Sequence, residues 1–565
     1  MILQKTNIVY VLNFVFLMLP TNVHAVVDLK DANYANSWVD LEIPGSGYKM
    51  TVTRTYNSRS LFNGMFGFGW CSEFETNFII TPEGNIRLKE CGGGQEVLYS
   101  PREVTRKEID RTISQIISKV KAEGKVGQNA DYFKRMTDEL AYDDEKRAFL
   151  ARQYGVKVAV NDGTKYMADG KQVEFFAKKQ NIYERTLFDG TMERYEVVND
   201  SLYGLKGRMI LKYDKNKNYL KMTYDNDVLA SIVDNGQKRM AFKYYPNKKV
   251  KEILGPFGVK ADYKFHSNQD DLAAVTNQWR NTFTYEYDGL HNMTKATWPD
   301  KTFINLKYDQ KRDWVVGYQD RDKCNETYKY EFDEAAPRMH YWSTVKKVCG
   351  KETVAENRYE FWFGERDSAN YLKRVLSTVG GDTTDISYHD VFGKPISILK
   401  NNELTNFEYF SDGLPRSKYT KFMRMGFEYD SKSKKVSVVR TDFFDDKGKK
   451  TTTRTTAFKY DDRGNLVFAR NTDGQAVTMS YDPQGRIASI TDQAKKIVKI
   501  EYEERLGKPA VVTRPGLGTI RVSYKPNGEI SKVDSKEGAS VAMQVASTFN
   551  NLLDIIAPAT AELYL

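Results

Sequence analysis

Aromatic residues recur about every twenty-one positions over most of this chain, each followed by turn-forming residues, and no other feature constrains the fold as strongly. Tyr224, Tyr244, Phe265, Tyr287, Tyr308 and Tyr330 follow one another at intervals of 20, 21, 22, 21 and 22. Tyr388, Tyr409 and Tyr429 continue at 21 and 20, and Tyr460, Tyr481, Tyr502 and Tyr524 at 21, 21 and 22. A fixed period in this range marks stacked units, none of which can bury its apolar face without its neighbours.

The content of one period identifies the unit. Val477, Met479 and Tyr481 alternate with Thr478 and Ser480, the pattern of a strand with one buried face. Asp482-Pro483-Gln484-Gly485 then supplies turn chemistry, with Pro presetting φ and Gly accepting positive φ, and Arg486 to Thr491 returns as a partner strand. The same grammar runs through Phe458, Tyr460, Asp461 to Gly464 and Leu466, and through Ile520, Val522, Tyr524 and Pro526-Asn527-Gly528. Each repeat therefore reads as a β-hairpin. An aromatic content of 13%, with 36 Tyr, suits such half-buried strands.

The pairs Tyr213-Asp214, Tyr224-Asp225, Tyr287-Asp288, Tyr308-Asp309, Tyr429-Asp430, Tyr460-Asp461 and Tyr481-Asp482 make the chain resemble the YD-repeat proteins of the rearrangement-hotspot (Rhs) family. Near the N-terminus, Val27-Asp28-Leu29, Val39-Asp40-Leu41, Ile43-Pro44-Gly45, Thr53 to Ser60 and Phe66-Gly67-Phe68-Gly69-Trp70 are similar to the domain that commonly precedes such repeats. The resemblance implies a mainly β fold: one continuous, strongly curved antiparallel hairpin sheet, spiralling as a full or partial shell. Toxin-bearing relatives cut themselves near an Asp-Pro motif and release a C-terminal toxin. Asp482-Pro483 matches superficially, but it fills the turn slot of a regular repeat, another repeat follows in register, and no toxin-sized segment comes after it.

Residues 1–25 read as a signal peptide, with Lys5, an apolar run from Ile8 to Leu19, and small residues before a cut after Ala25. The run is short for a membrane span, and no other stretch is apolar enough to be one. Export makes disulfides the expected state of the four cysteines, which fall as two local pairs, Cys71 with Cys91 and Cys324 with Cys349. Metal binding by these cysteines is the alternative, without a C-x-x-C or a His pair to support it. The formal charge of +10 is small against 85 basic and 75 acidic side chains, so nucleic acid is not an expected partner.

One segment breaks the strand pattern. After the capping-box form Thr105-Arg106-Lys107-Glu108, residues Ile109, Ile113, Ile116, Ile117 and Val120 fall on one helical face. Two further helices are expected over Asp131 to Leu140 and Asp143 to Tyr154, either packed outside or across the mouth of the sheet or forming a docking module or lid. The expected organisation is thus a signal peptide (1–25), an Rhs-type N-terminal β domain (26–100), a helical insertion (101–160), the YD-repeat sheet (161–540) and an apolar tail (541–565) with Phe549, Leu552, Leu553, Ile555 and Ile556.

Catalytic chemistry is not visible. His266, His291, His340 and His389 lie far apart, none beside a nucleophile or carboxylate arrangement, and Gly92-Gly93-Gly94 reads as a turn rather than a phosphate loop. Paired acids such as Asp445-Asp446 carry no signal of glycoside hydrolysis without their separation in space. The expectation is an exported, non-enzymatic shell or scaffold without cofactor, binding or enclosing a glycan or protein at the cell envelope, in the periplasm, at the surface or secreted. Two alternatives stand beside it: a carrier for a separately encoded cargo such as a toxin, and a carboxylate-dependent glycan hydrolase or self-processing protein.

Overall fold

The computed structural model describes residues 26–534, apart from 46–47, 92–94, 102–105, 125–128, 157–160, 169–170, 172–173, 201–203, 367–368 and 527, together with Val541, Met543, Ser547 and Ile555 of the tail. The expected signal peptide, the Gly92–Gly94 turn and the rest of the apolar tail lie outside the described residues.

Antiparallel strands dominate, and the aromatic ladder explains their arrangement. At Tyr224, Tyr244, Phe265, Tyr287 and Tyr308, and again at Tyr388, Tyr409, Tyr429, Tyr460, Tyr481, Tyr502 and Tyr524, the strand register shifts by a β-bulge at the ladder residue. A bulge bends its strand and increases local twist, so one bulge per hairpin curls the sheet steadily. Most ladder hydroxyls then reach back to the preceding hairpin. Tyr244 donates to the Leu229 carbonyl at 2.7 Å, Tyr308 to Met293 at 2.9 Å, Tyr481 to Leu466 at 2.7 Å and Tyr524 to Pro509 at 2.7 Å. Burial pushes the Tyr481 and Tyr524 phenols up to about 12, which keeps them neutral donors.

In six of the seven Tyr-Asp pairs, all but Tyr224-Asp225, the Asp accepts from the turn that follows. Asp482 accepts from the backbone N–H groups of Gln484 and Arg486 at 3.0 and 2.9 Å, and Asp288 from those of Leu290 and Asn292 at 2.9 and 3.0 Å. Gly485 completes the turn with φ of 82°, a conformation that penalises a Cβ. Tyr thus welds one hairpin to the last, and Asp closes the way to the next.

The sheet begins as a closed ring of strands Asn77–Ile80, Ile86–Glu90, Gln95–Pro101, Lys165–Met167, Phe175–Lys179, Ile182–Thr186, Met192–Asp200 and Gly204–Tyr213, in which the last pairs back onto the first. From Gly204–Tyr213 the sheet runs on as a hairpin ribbon to Ile530–Asp534. The ribbon curls until late turns meet its first one: the Asn218 side-chain amide donates to the Gln484 carbonyl at 2.8 Å, and that of Asn465 to Asn216 Oδ1 at 3.2 Å. The helical insertion comprises α1 (Arg106–Glu123), α2 (Ala130–Tyr142) and α3 (Asp144–Gln153). Ile113, Ile116, Ile117 and Val120 are buried against Phe133, Met136 and Leu140, giving the helices a core of their own. A buried ion pair, Arg147 to Glu83 at 2.6 Å, pins α3 to the ring.

Candidate binding cleft

A small sheet of strands Val26–Asp28, Asn33–Ile43, Met50–Asn57 and Trp70–Ser72 sits within the curve of the ribbon. One of its faces is aromatic because Tyr34 and Trp38 alternate with more polar positions along one strand, and Tyr56 and Trp70 join them from the next two. Trp38 packs edge-on against Tyr285 at 5.4 Å and Trp70 against Tyr285 at 4.9 Å, while Tyr34 meets Tyr318 at a tilt, 6.1 Å away. The Trp70 indole N–H donates to Tyr287 Oη at 2.8 Å, and Tyr56 Oη accepts the Met293 N–H at 2.8 Å.

Inside this aromatic contact lies a charge. Arg54 forms a two-pronged pair with Asp40, its Nη2 reaching Oδ1 at 2.9 Å, and its guanidinium lies 4.6 Å from the Trp70 ring centroid. Tyr263 donates to Asp40 at 2.8 Å. Burial works against the Arg54 charge, and Asp40 more than offsets it, so the guanidinium holds its proton more firmly than usual. Backbone bonds repeat the attachment along the wall: Val315 N–H to the Ala32 carbonyl at 3.1 Å, Gln278 to Asp40 at 3.0 Å, and Val250 to Met65 at 2.8 Å. The sheet is therefore a plug fixed to the inner wall.

Beside the plug, a cleft of about 1120 Å³ opens between its edge, the ring and the ribbon. Asn33, Thr55 and Asn57 line it from the plug, Arg87 and Lys89 from the ring, and Trp314, Tyr330 and Phe332 from the ribbon. Cys71 and Cys91 also line it and stand at disulfide distance, with Cα atoms 5.1 Å apart; Cys324 and Cys349 do so elsewhere, at 4.3 Å.

His266, His291, His340 and His389, four of the five histidines, are not brought together. His266 Nε2 meets the Tyr285 carbonyl at 2.9 Å, His291 meets Asp271 at 2.9 Å and stacks on Phe68, His340 meets Glu360 at 2.8 Å and stacks on Trp362, and His389 stacks on Phe392. Among the described residues no cluster of His, Cys, Asp or Glu is arranged to hold a metal. Asp482 to Gly485 occupies the turn between Ala476–Tyr481 and Ile487–Asp492. Sequence reasoning missed Arg54 and Asp40. Both lie within stretches quoted for the N-terminal resemblance, and two charges alternating with apolar neighbours in short strands are the signal that was there to be read.

Comparison with known proteins agrees with the repeat reading. The RHS Repeat model matches residues 460–495, and the model of a domain of unknown function, DUF6531, matches residues 26–97. No curated protein matches the chain. Among solved structures, the TcdB2-TccC3-TEV crystal structure is similar at 10% identity and a TM-score of 0.40, over 94% of this chain and 29% of that one. The Tc holotoxin pore of Photorhabdus luminescens is similar at 10% identity and a TM-score of 0.36, over 90% of this chain and 28% of that one. The chain thus spans less than a third of the length of these structures.

Proposed function

We propose that this Rhs/YD-repeat protein is an exported, non-enzymatic scaffold that presents a binding cleft to a glycan or protein partner at the cell envelope. The observation that carries this reading is the cleft itself, walled by plug, ring and ribbon together, so that only the assembled sheet creates it. Ligand pockets typically enclose about 300–1,000 Å³. The cleft, at about 1120 Å³, lies just above that range and suits a small ligand or a short segment. A folded cargo of even 100 residues, with a radius of gyration of about 13 Å, does not fit it. Size thus favours binding over the carrier alternative at this position.

Export is supported by the leader-like first 25 residues and by all four cysteines standing in pairs at disulfide distance. The absence of a catalytic role is supported by how the buried charges are spent: Arg54 with Asp40, and Arg147 with Glu83, each join one structural element to another. The test is cell fractionation of the tagged protein, followed by a glycan array and a cross-linked envelope pull-down. Recovery from the cytoplasm with free thiols, or no partner in either binding assay, refutes the reading. Hydrolysis of an envelope polymer by the purified protein would replace it with the enzyme alternative.

A further inference from the structure

We infer that the cleft recognises an acidic oligosaccharide, its carboxylates held by Arg59 and Arg312 and its sugar rings laid against Trp314 and Phe332; this rests on the scaffold reading above. Arg59 lines the cleft, and Arg312, distant in sequence, is held beside its edge because Arg59 Nη1 donates to the Arg312 carbonyl at 2.8 Å. The Arg312 guanidinium lies 4.7 Å from the Trp314 ring centroid and 5.6 Å from that of Phe332. Trp314 is itself held edge-on by the ladder residue Tyr330 at 5.3 Å. The aromatic floor is therefore built by the repeat ribbon, and the guanidinium rim by the plug and the ribbon together.

Hydrogen-bonding capacity at this rim is one-sided. The carboxylates that line the cleft are engaged: Asp31 with Lys30 at 3.2 Å, Glu96 with Lys89 at 2.7 Å, Glu90 with Arg185, and Glu331 with the Trp342 indole at 3.0 Å. Arg59 and Arg312 have no carboxylate partner among the described contacts. The Oδ1 atoms of Asn33 and Asn57 both accept the Arg59 backbone N–H, at 3.3 and 2.9 Å, which leaves their Nδ2 groups as donors. Two guanidiniums and two amides thus offer donors with few acceptors beside them, and guanidinium matches carboxylate geometry in two prongs.

The apolar side decides the rest. Leu61 is 84% exposed and Phe332 40% exposed at the same cleft. Aromatic faces beside a few polar groups that fix orientation describe a small-ligand site. A sugar ring presents a C–H face to such a floor while its carboxylate and hydroxyl groups turn to the donors. A peptide strand would look for an open backbone edge, and these contacts are made by side chains.

The test is titration calorimetry of the full-length protein with an oligogalacturonide, a neutral oligoglucan of equal length and a Glu-rich peptide. The oligogalacturonide is expected to bind at least tenfold more tightly than the other two and to weaken as salt rises. Arg312→Ala, whose side chain makes no hydrogen bond among the described residues, should lose roughly tenfold in affinity, as loss of one charge-assisted bond predicts. Arg59→Lys should lose less than Arg59→Ala. Equal affinity for the acidic and neutral sugars, or no change in Arg312→Ala, overturns the inference while leaving the scaffold reading intact. Tighter binding of the peptide, or no sugar bound at all, overturns it too, and the envelope pull-down then decides the scaffold reading separately.

Discussion

Removing one hydroxyl from the ladder tests whether the repeats are welded as described. In Tyr481→Phe the ring stays against Met479 and Ile487, while the 2.7 Å bond to the Leu466 carbonyl is lost. A net hydrogen bond is worth about 1 kcal/mol, and the stranded carbonyl adds to the cost unless water reaches it. One kcal/mol is roughly a fivefold change in a local opening equilibrium. Global melting is a poor detector, because a repeat array opens in sections rather than at once. Hydrogen exchange by mass spectrometry is the suitable assay. Amides in Leu466–Asn471 and Ile487–Asp492 should exchange about fivefold faster, and those near Tyr244 should not change. Phe265 shows that the ladder position accepts a ring without a hydroxyl, so the variant is expected to fold. Unchanged exchange in both flanking strands would refute the welding role.

Arg54→Met should destabilise by about 3–5 kcal/mol, since it leaves Asp40 charged and buried, and Arg54→Met with Asp40→Asn should recover part of that in urea unfolding. Burial pushes the Glu75 carboxyl up from 4.5 to about 7, against the Met65 and Ser72 N–H groups that favour its charge. A folded value above the unfolded one contributes stability at low pH that is lost as pH rises through about 7. Wild type should therefore lose up to about 3 kcal/mol relative to Glu75→Gln between pH 4.5 and 8, read from paired unfolding curves. Replacing Cys71 and Cys91 by Ser should cost about 3 kcal/mol, and intact mass before and after reduction should show two bonds in the native chain.

What the sequence disclosed is what each repeat settles within its own span. Tyr481 and Asp482 act on a carbonyl fifteen residues back and on amides two and four ahead, so their work shows as a period. The face of α1 was legible for the same reason, because Ile113, Ile116 and Ile117 meet a helical rule. The plug was not. Arg54 touches Tyr285 and Arg59 touches Arg312 across more than two hundred residues, and no local pattern encodes such a meeting. The ring was hidden likewise, since strands 77–101 join strands 165–213 around the helical insertion. The spacing of the ladder also misses its longest members: Tyr460 reaches Val436, twenty-four residues back, because the intervening hairpin is longer.

The plug also divides the ribbon energetically. From Met222 to Val345 the buried side chains form one cluster with Tyr34, Trp38, Tyr56 and Trp70 of the plug. From Met425 onward the apolar positions are covered in two smaller clusters, one containing Ile555 and the other Val541. Between them the long strands Glu352–Arg366 and Ala369–Val379 and the hairpins up to Tyr409 bury little beyond Phe361 and Phe407, while Val354, Val379, Leu399 and Leu404 are exposed. A stacked array opens where neighbour contacts bury least. Native-state hydrogen exchange should therefore proceed first in Glu352–Tyr409, then in the last repeats, and last in the stretch the plug covers. Slowest exchange in the middle stretch would show that backbone pairing, rather than burial by the plug, sets the stability of the sheet.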